Sequence, residues 1–126
     1  MSKRIIQSKE APAPIGPYSQ AVESNGMLFL SGQIALIPGT DNLQLSSIPE
    51  ETTQVMRNIA AVLQEAGYDF ENVLKTSIFL SDMKYFAAVN EVYATFFTSN
   101  FPARETVHVA GLPKGVNVEI SMIAGK

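Results

Sequence analysis

Arg104 and Glu119 are the charged residues best placed for chemistry, because each interrupts a strand-like segment near the end of the chain. Successive strand residues face opposite sides of a sheet, so segments 103–110 and 116–124 each separate into an apolar and a polar face. With the apolar faces under helices, we expect Arg104 and Glu119 to project as neighbours from the uncovered side. The other polar positions on these faces are Thr106, His108, Asn117 and Ser121.

This arginine–glutamate pair has two interpretations, which the pattern leaves open. A cross-strand pair on the open face of an antiparallel sheet is usually just solvated, and this is the commoner case. The rest of the predicted face is almost neutral, however, with small groups such as Thr106, Asn117 and Ser121. Such groups suit a partly buried polar surface, which favours a binding or catalytic site.

Several other kinds of active site are disfavoured by the residue types present. Ser31 lies in FLSGQ, which is not the G-x-S-x-G elbow of serine hydrolases, and no acid–base partner set accompanies it. The chain has no cysteine and a single histidine, His108, so a thiolate nucleophile or a multi-histidine metal site within one subunit is excluded. Neither nucleotide fingerprint, G-x-x-x-x-G-K-[ST] or G-x-G-x-x-G, occurs. We expect no metal site.

Length and charge narrow the class of protein further. The 126 residues suffice for one domain, spanning 1–126, and the net charge of −3 argues against a nucleic-acid partner. No apolar run approaches the roughly 20 residues that span a bilayer, and no apolar signal core follows the N-terminal basic residues. We therefore expect a cytoplasmic protein without a membrane partner. Charged residues make up 17% of the chain, below the usual figure of about 25%.

The first half of the chain predicts a hairpin and then a helix. Residues 21–23 and 27–34 are strand-like and flank the turn pair Asn25-Gly26. Ser47 and Glu50 have capping-box spacing, and an apolar stripe runs from there towards Gly67, a left-handed C-cap. Before the hairpin, the segment APAPIGP (11–17) is either a linker to a frayed N-terminus or a stiff ordered loop.

The second half predicts a strand, a helix and two more strands. Residues 73–80 are rich in strand formers, and a helix capped by Asp82 should end before Pro102. The strands 103–110 and 116–124 follow. The order of elements indicates an α+β layer in which two helices cover one face of a sheet.

Five segments resemble the Rid family of reactive-intermediate deaminases, in the family's order and spacing. They are APAPIGPYSQAV (11–22), SGQI (31–34), FAAVNEVYATFF (86–97), FPARETV (101–107) and LPKGVNVEI (112–120). The resemblance implies a chorismate-mutase-like mixed or antiparallel sheet with two helices on one face, assembled as a homotrimer with active sites between subunits. It also implies hydrolysis of small 2-imino acids to 2-oxo acids and ammonia, with no cofactor.

Residue by residue, the resemblance assigns the substrate-binding positions first. It implies that Arg104 of PAR binds the substrate carboxylate, for which the guanidinium fork is well suited. It places Ser31 and Gly32 beside that carboxylate, and Asn90 at the cleft from the subunit interface.

The resemblance also implies the catalytic positions. Glu119 of VEI lies near the attacking water, Tyr18 of GPYSQ lines the imine end of the pocket, and the backbone carbonyl of Thr106 holds the water. Two positions depart from many family members: Thr106 replaces a frequent cysteine, and Ser121 stands where an acidic residue is common.

Two further functions remain as alternatives. One is a non-catalytic trimer of the same fold that binds or senses a small metabolite. The other, ribonuclease activity attributed to some relatives, is disfavoured by the acidic balance, because RNA affinity depends on many phosphate contacts. In a trimer, the neutral sheet face would form the interior, which would explain the low charge content.

Overall fold

Two α-helices and six strands make up the chain in our computed structural model, which describes residues 2–126. The helices are α1 (Ile48–Ala66) and α2 (Phe86–Ala94). The strands are β1 (Arg4–Ile6), β2 (Ala21–Ser24), β3 (Met27–Leu30), β4 (Val73–Leu80), β5 (Ala103–His108) and β6 (Val118–Gly125).

The strands form one mixed sheet in the order β1-β2-β3-β6-β4-β5. Among the strands that the structure describes, only the β4–β5 pair is parallel, and α2 lies in the crossover between these strands. Both helices pack on the same face, where Val118 and Ile120 are fully buried. The predicted α+β fold with two helices on one face is confirmed.

Helix α1 begins and ends where the sequence predicts. The Ser47 side chain accepts a hydrogen bond from the backbone N–H of Glu50, and Gly67 has a φ of 83° at the C-cap. Glycine tolerates this left-handed conformation without a Cβ penalty. The apolar stripe of the helix, including Val55 and Ile59, is fully buried against the sheet.

The proline-rich segment is an ordered loop, so its interpretation as a linker is wrong. The Gln20 side chain is buried and accepts a hydrogen bond from Ser8 N at 2.6 Å. Its amide donates to the carbonyls of Ser8 and Pro12 at 3.1 and 2.8 Å. The Gln20 side chain thus holds the loop in one conformation. The short strand β1, which precedes the loop, was not predicted from the sequence.

Helix α2 ends at Ala94, before Pro102 as predicted, but so far before it that the proline is not what stops the helix. Beyond the helix, the Phe97 ring lies 4.9 Å from the Tyr93 ring and 5.4 Å from the Phe70 ring. Aromatic packing after the helix therefore replaces its last predicted turns. Asp82 does cap, but it caps the 3₁₀ turn Met83–Tyr85 that leads into α2.

Candidate active site

Arg104 and Glu119 lie on opposite faces of the sheet, so the expectation that they are neighbours on the open face is wrong. Arg104 pairs in register with Thr76, which is fully buried under the helices. Glu119 pairs with Phe79, on the other face of β4. Val107 shares that open face and is 39% exposed, although its apolar character predicted a place under the helices.

Strand alternation is the reason for this error. Alternation separates the two faces of each strand, but it does not say which face of an edge strand meets the helices. In β6, Val118 and Ile120 do lie under the helices, as expected. In β5, an edge strand, the helix-facing positions are the polar Arg104 and Thr106 instead.

The guanidinium of Arg104 lies between two aromatic rings of α2. Its central carbon is 5.2 Å from the ring centre of Tyr93 and 5.7 Å from that of Phe86. Within residues 2–126 its N–H groups make no hydrogen bond or ion pair. The cation is therefore stabilised by aromatic rings, and its donors remain available for an anion.

Asn90 and Thr106 lie on the same side of the sheet as Arg104. Asn90, on α2, lines an open groove together with Arg104 and Phe101. The hydroxyl of Thr106 is buried and is the one buried side-chain polar atom among the described residues that has no hydrogen-bond partner. We call Asn90, Arg104 and Thr106 the edge group, since they lie on or beside edge strand β5.

Glu119 lines a separate cavity of about 40 Å³, which has room for a few water molecules. Burial raises the pKa of its carboxyl group above the usual range for glutamate. Gly32 lies directly against this carboxylate: a Cβ added there would be 2.9 Å from Cδ of Glu119 and closer still to Oε2. The absence of a side chain at position 32 thus leaves room for the carboxylate.

Tyr18 lines the same cavity as Gly32 and Glu119. Its hydroxyl accepts a hydrogen bond from Ile15 N at 3.2 Å, within the proline-rich loop. Ser31 is engaged locally, because its hydroxyl donates to the carbonyl of Ser19 at 2.6 Å. We call Tyr18, Gly32 and Glu119 the loop group.

Apart from Ser31, which bonds locally to Ser19, the site residues expected from the sequence form two groups that a single chain does not bring together. The edge group offers cation and hydroxyl donors on the helix side of β5. The loop group offers a carboxylate with a raised pKa on the opposite face. A ligand touching both groups needs a second surface to bring them together.

Glu51 is a polar residue of α1 that the sequence analysis missed. It is fully buried, and Oε2 accepts hydrogen bonds from the backbone N–H groups of Asn117 and Val118 at 2.8 and 3.1 Å. Oε1 accepts from the Asn117 side chain at 2.9 Å. This carboxylate fixes the start of β6 at Val118, one residue before Glu119. Glu51 lies four residues before Val55, on the same face of α1 as the apolar stripe, and this position in the sequence could have indicated that it is buried.

No group of three or more His, Cys, Asp or Glu side chains in residues 2–126 could hold a metal ion. Within the same residues, no helix is long and apolar enough to cross a membrane.

Comparisons with known proteins extend over nearly the whole chain. The model of the family described as endoribonuclease L-PSP matches residues 8–126. A mouse protein named 2-iminobutanoate/2-iminopropanoate deaminase is 44% identical over 122 residues, which cover 97% of this chain and 90% of that protein.

Solved structures give the same picture. A Yersinia pestis protein, YyfA, described as a member of the conserved Rid protein family, has a TM-score of 0.96 and 47% identity, covering 99% of this chain and 100% of that one. TdcF of E. coli, solved with bound serine, has a TM-score of 0.93 and 36% identity, covering 98% of each chain.

Proposed function

The chain belongs to the Rid family, the endoribonuclease L-PSP family of the matching model, and from that membership we propose that it is an imine deaminase. Its substrates would be small 2-imino acids such as 2-iminobutanoate and 2-iminopropanoate. The products would be the 2-oxo acid and ammonia. The observation that carries the proposal is the guanidinium of Arg104, which lies beside an open groove with its N–H donors unpaired among the described residues.

In this proposal, Arg104 binds the carboxylate shared by all 2-imino acids. A guanidinium offers two parallel N–H donors to a carboxylate, which gives both affinity and orientation. Gly32 and Ser31 border the bound carboxylate, and Asn90 contributes a polar group from α2. The bound serine of TdcF, an amino acid with the same carboxylate, is consistent with a ligand of this class.

Glu119 is proposed to activate the attacking water. A carboxylate whose pKa is raised is a better proton acceptor near neutral pH than an ordinary one. Water adds to the iminium carbon while Glu119 accepts its proton, and the adduct then carries a hydroxyl and an amino group on one carbon. Glu119 returns the proton to the nitrogen, the carbon–nitrogen bond breaks and ammonia leaves, and the hydroxyl proton passes back to the Glu119 carboxylate as the carbonyl forms. Thr106 would hold the water through its backbone carbonyl, and Tyr18 would line the imine end.

We further propose a homotrimer in which the edge group of one subunit meets the loop group of its neighbour. The open face supports this arrangement, because it carries partly exposed apolar side chains. Phe29 on β3 is 48% exposed and Val107 on β5 is 39% exposed, and Phe79 lies on the same face. A second and third copy would cover this surface, as the unusually low charge content of the chain suggests.

A decay assay tests the proposed reaction directly. When 2-iminobutanoate is generated in situ by a threonine dehydratase, the protein should accelerate its conversion to 2-oxobutanoate. The Arg104→Ala variant should lose that acceleration, because the substrate carboxylate has no bidentate partner left. Equal decay of 2-iminobutanoate with and without the protein would contradict the deaminase activity and favour the non-catalytic metabolite-binding trimer.

Gly32→Ala should lower the activity about 100-fold while the fold remains intact, since misplacing a catalytic group by about 1 Å can cost this much. The new methyl group must push the Glu119 carboxylate aside, and the end of a flexible side chain moves at little cost to stability. Gly111→Ala is the matched control, because a Cβ there meets no atom within 4 Å. The same assay and a thermal melt measure both effects. Full activity in Gly32→Ala would remove Glu119 from the proposed mechanism.

A further inference from the structure

Two aromatic side chains of α2, both within the family segment 86–97, contact the guanidinium of Arg104. Tyr93 is 4% exposed, and its ring centre lies 5.2 Å from the guanidinium carbon. Phe86, at the start of the same helix, lies 5.7 Å from it. The two residues are seven positions apart on α2, so their side chains lie on one side of the helix, two turns apart.

Two neighbouring residues, Thr76 and Phe97, fix the position of the Tyr93 ring. Its hydroxyl donates to Thr76 Oγ1 at 2.9 Å, and Thr76 is the register partner of Arg104 in the neighbouring strand. The Phe97 ring packs 4.9 Å from the Tyr93 ring on another side. Thr76, Tyr93 and Arg104 thus form a closed set of contacts between β4, α2 and β5.

We infer that Tyr93 and Phe86 are positioning residues that hold the guanidinium of Arg104 ready for the substrate carboxylate. Cation–π contact stabilises the charge without a protein acceptor, so the N–H donors stay available to the substrate. An acidic partner would instead compete with the substrate. The inference rests on the proposed function, since it assigns a purpose to the same arginine.

Tyr93→Leu should raise KM for 2-iminobutanoate about tenfold and change kcat less than about threefold. The lost ring leaves Arg104 mobile in the free protein, and ordering it then weakens substrate binding. Tyr93→Phe keeps the ring and loses only the hydrogen bond to Thr76. It should melt at a lower temperature but keep KM within about twofold. Tyr85→Leu, which removes a tyrosine with no ring contact to Arg104, is the matched control.

The resonance of the Arg104 Nε–H group gives a readout that needs no activity. In NMR spectra of the full chain, the ring current of Tyr93 should shift this proton in the unaltered protein and in Tyr93→Phe. The shift should be lost in Tyr93→Leu. If the Nε–H shift depends on the Tyr93 ring but the protein has no deaminase activity, the proposed function alone is contradicted. If the protein is an active deaminase but the Nε–H shift does not depend on the Tyr93 ring, the positioning role alone is contradicted.

Phe86→Leu tests the same contact with Arg104 if Tyr93→Leu does not fold. Phe86 is 38% exposed, so its replacement should be tolerated and should raise KM about threefold. An unchanged KM in folded Phe86→Leu, or a KM raised as much in Tyr93→Phe as in Tyr93→Leu, would overturn the positioning role.

Discussion

Trimers assembled from Arg104→Ala and Glu119→Gln subunits should be active, although each variant alone should be inactive. The two side chains lie on opposite faces of the sheet in one chain, so the proposed site needs Arg104 from one subunit and Glu119 from its neighbour. In randomly mixed trimers prepared from equal amounts, about one quarter of the sites combine an intact Arg104 with an intact Glu119. Co-refolding the two variants and measuring imine hydrolysis checks this result.

A second mixture distinguishes a shared site from one within a single chain. Unaltered subunits are combined with subunits that carry both Arg104→Ala and Glu119→Gln. A shared site should leave about one quarter of the sites intact, whereas a site within one chain would leave about one half. Each variant refolded alone is the control, and the mass in solution must confirm a trimer. Complementation that fails in confirmed mixed trimers would contradict the shared site.

The elements with strong local signals could be predicted from the sequence. Helix α1 has an N-cap at Ser47, a C-cap at Gly67 and a buried apolar stripe, and all three features act within a few residues of one another. Strand β4 likewise has the predicted bounds, 73–80. The end of α2 depended instead on Phe97, which packs on Phe70, a residue far away in the sequence. No local pattern carries that information.

The candidate site shows the same division between local and distant information. Family motifs identified Arg104 and Glu119 as residues of interest, but their faces depended on the register of β5 beside β4. Tyr93 lies within one of the family segments and Glu51 does not, but for both residues only the packing of α1 and α2 on the sheet shows what they contact. The groups around a site are therefore harder to predict than the residues in it.

Replacing the buried carboxylate of Glu51 should cause a large loss of stability. Glu51→Leu roughly keeps the volume but leaves the buried N–H of Val118 and the partly buried N–H of Asn117 without an acceptor. Each unsatisfied buried donor costs about 1–3 kcal/mol, so the free energy of unfolding should fall by about 4 kcal/mol. Because the stability of the proposed trimer would depend on concentration, chemical denaturation should be followed at one fixed protein concentration.

Glu51→Gln separates the lost acceptor from the lost charge. The amide oxygen can still accept from both backbone N–H groups, but its NH₂ group would then face the donor Nδ2 of Asn117. We therefore expect a smaller loss, about 1–2 kcal/mol. Glu65→Leu, an exposed position on the same helix, should leave the midpoint nearly unchanged. If Glu51→Leu were as stable as Glu65→Leu, the buried carboxylate would not anchor β6. The position of Glu119 would then depend on the rest of the sheet.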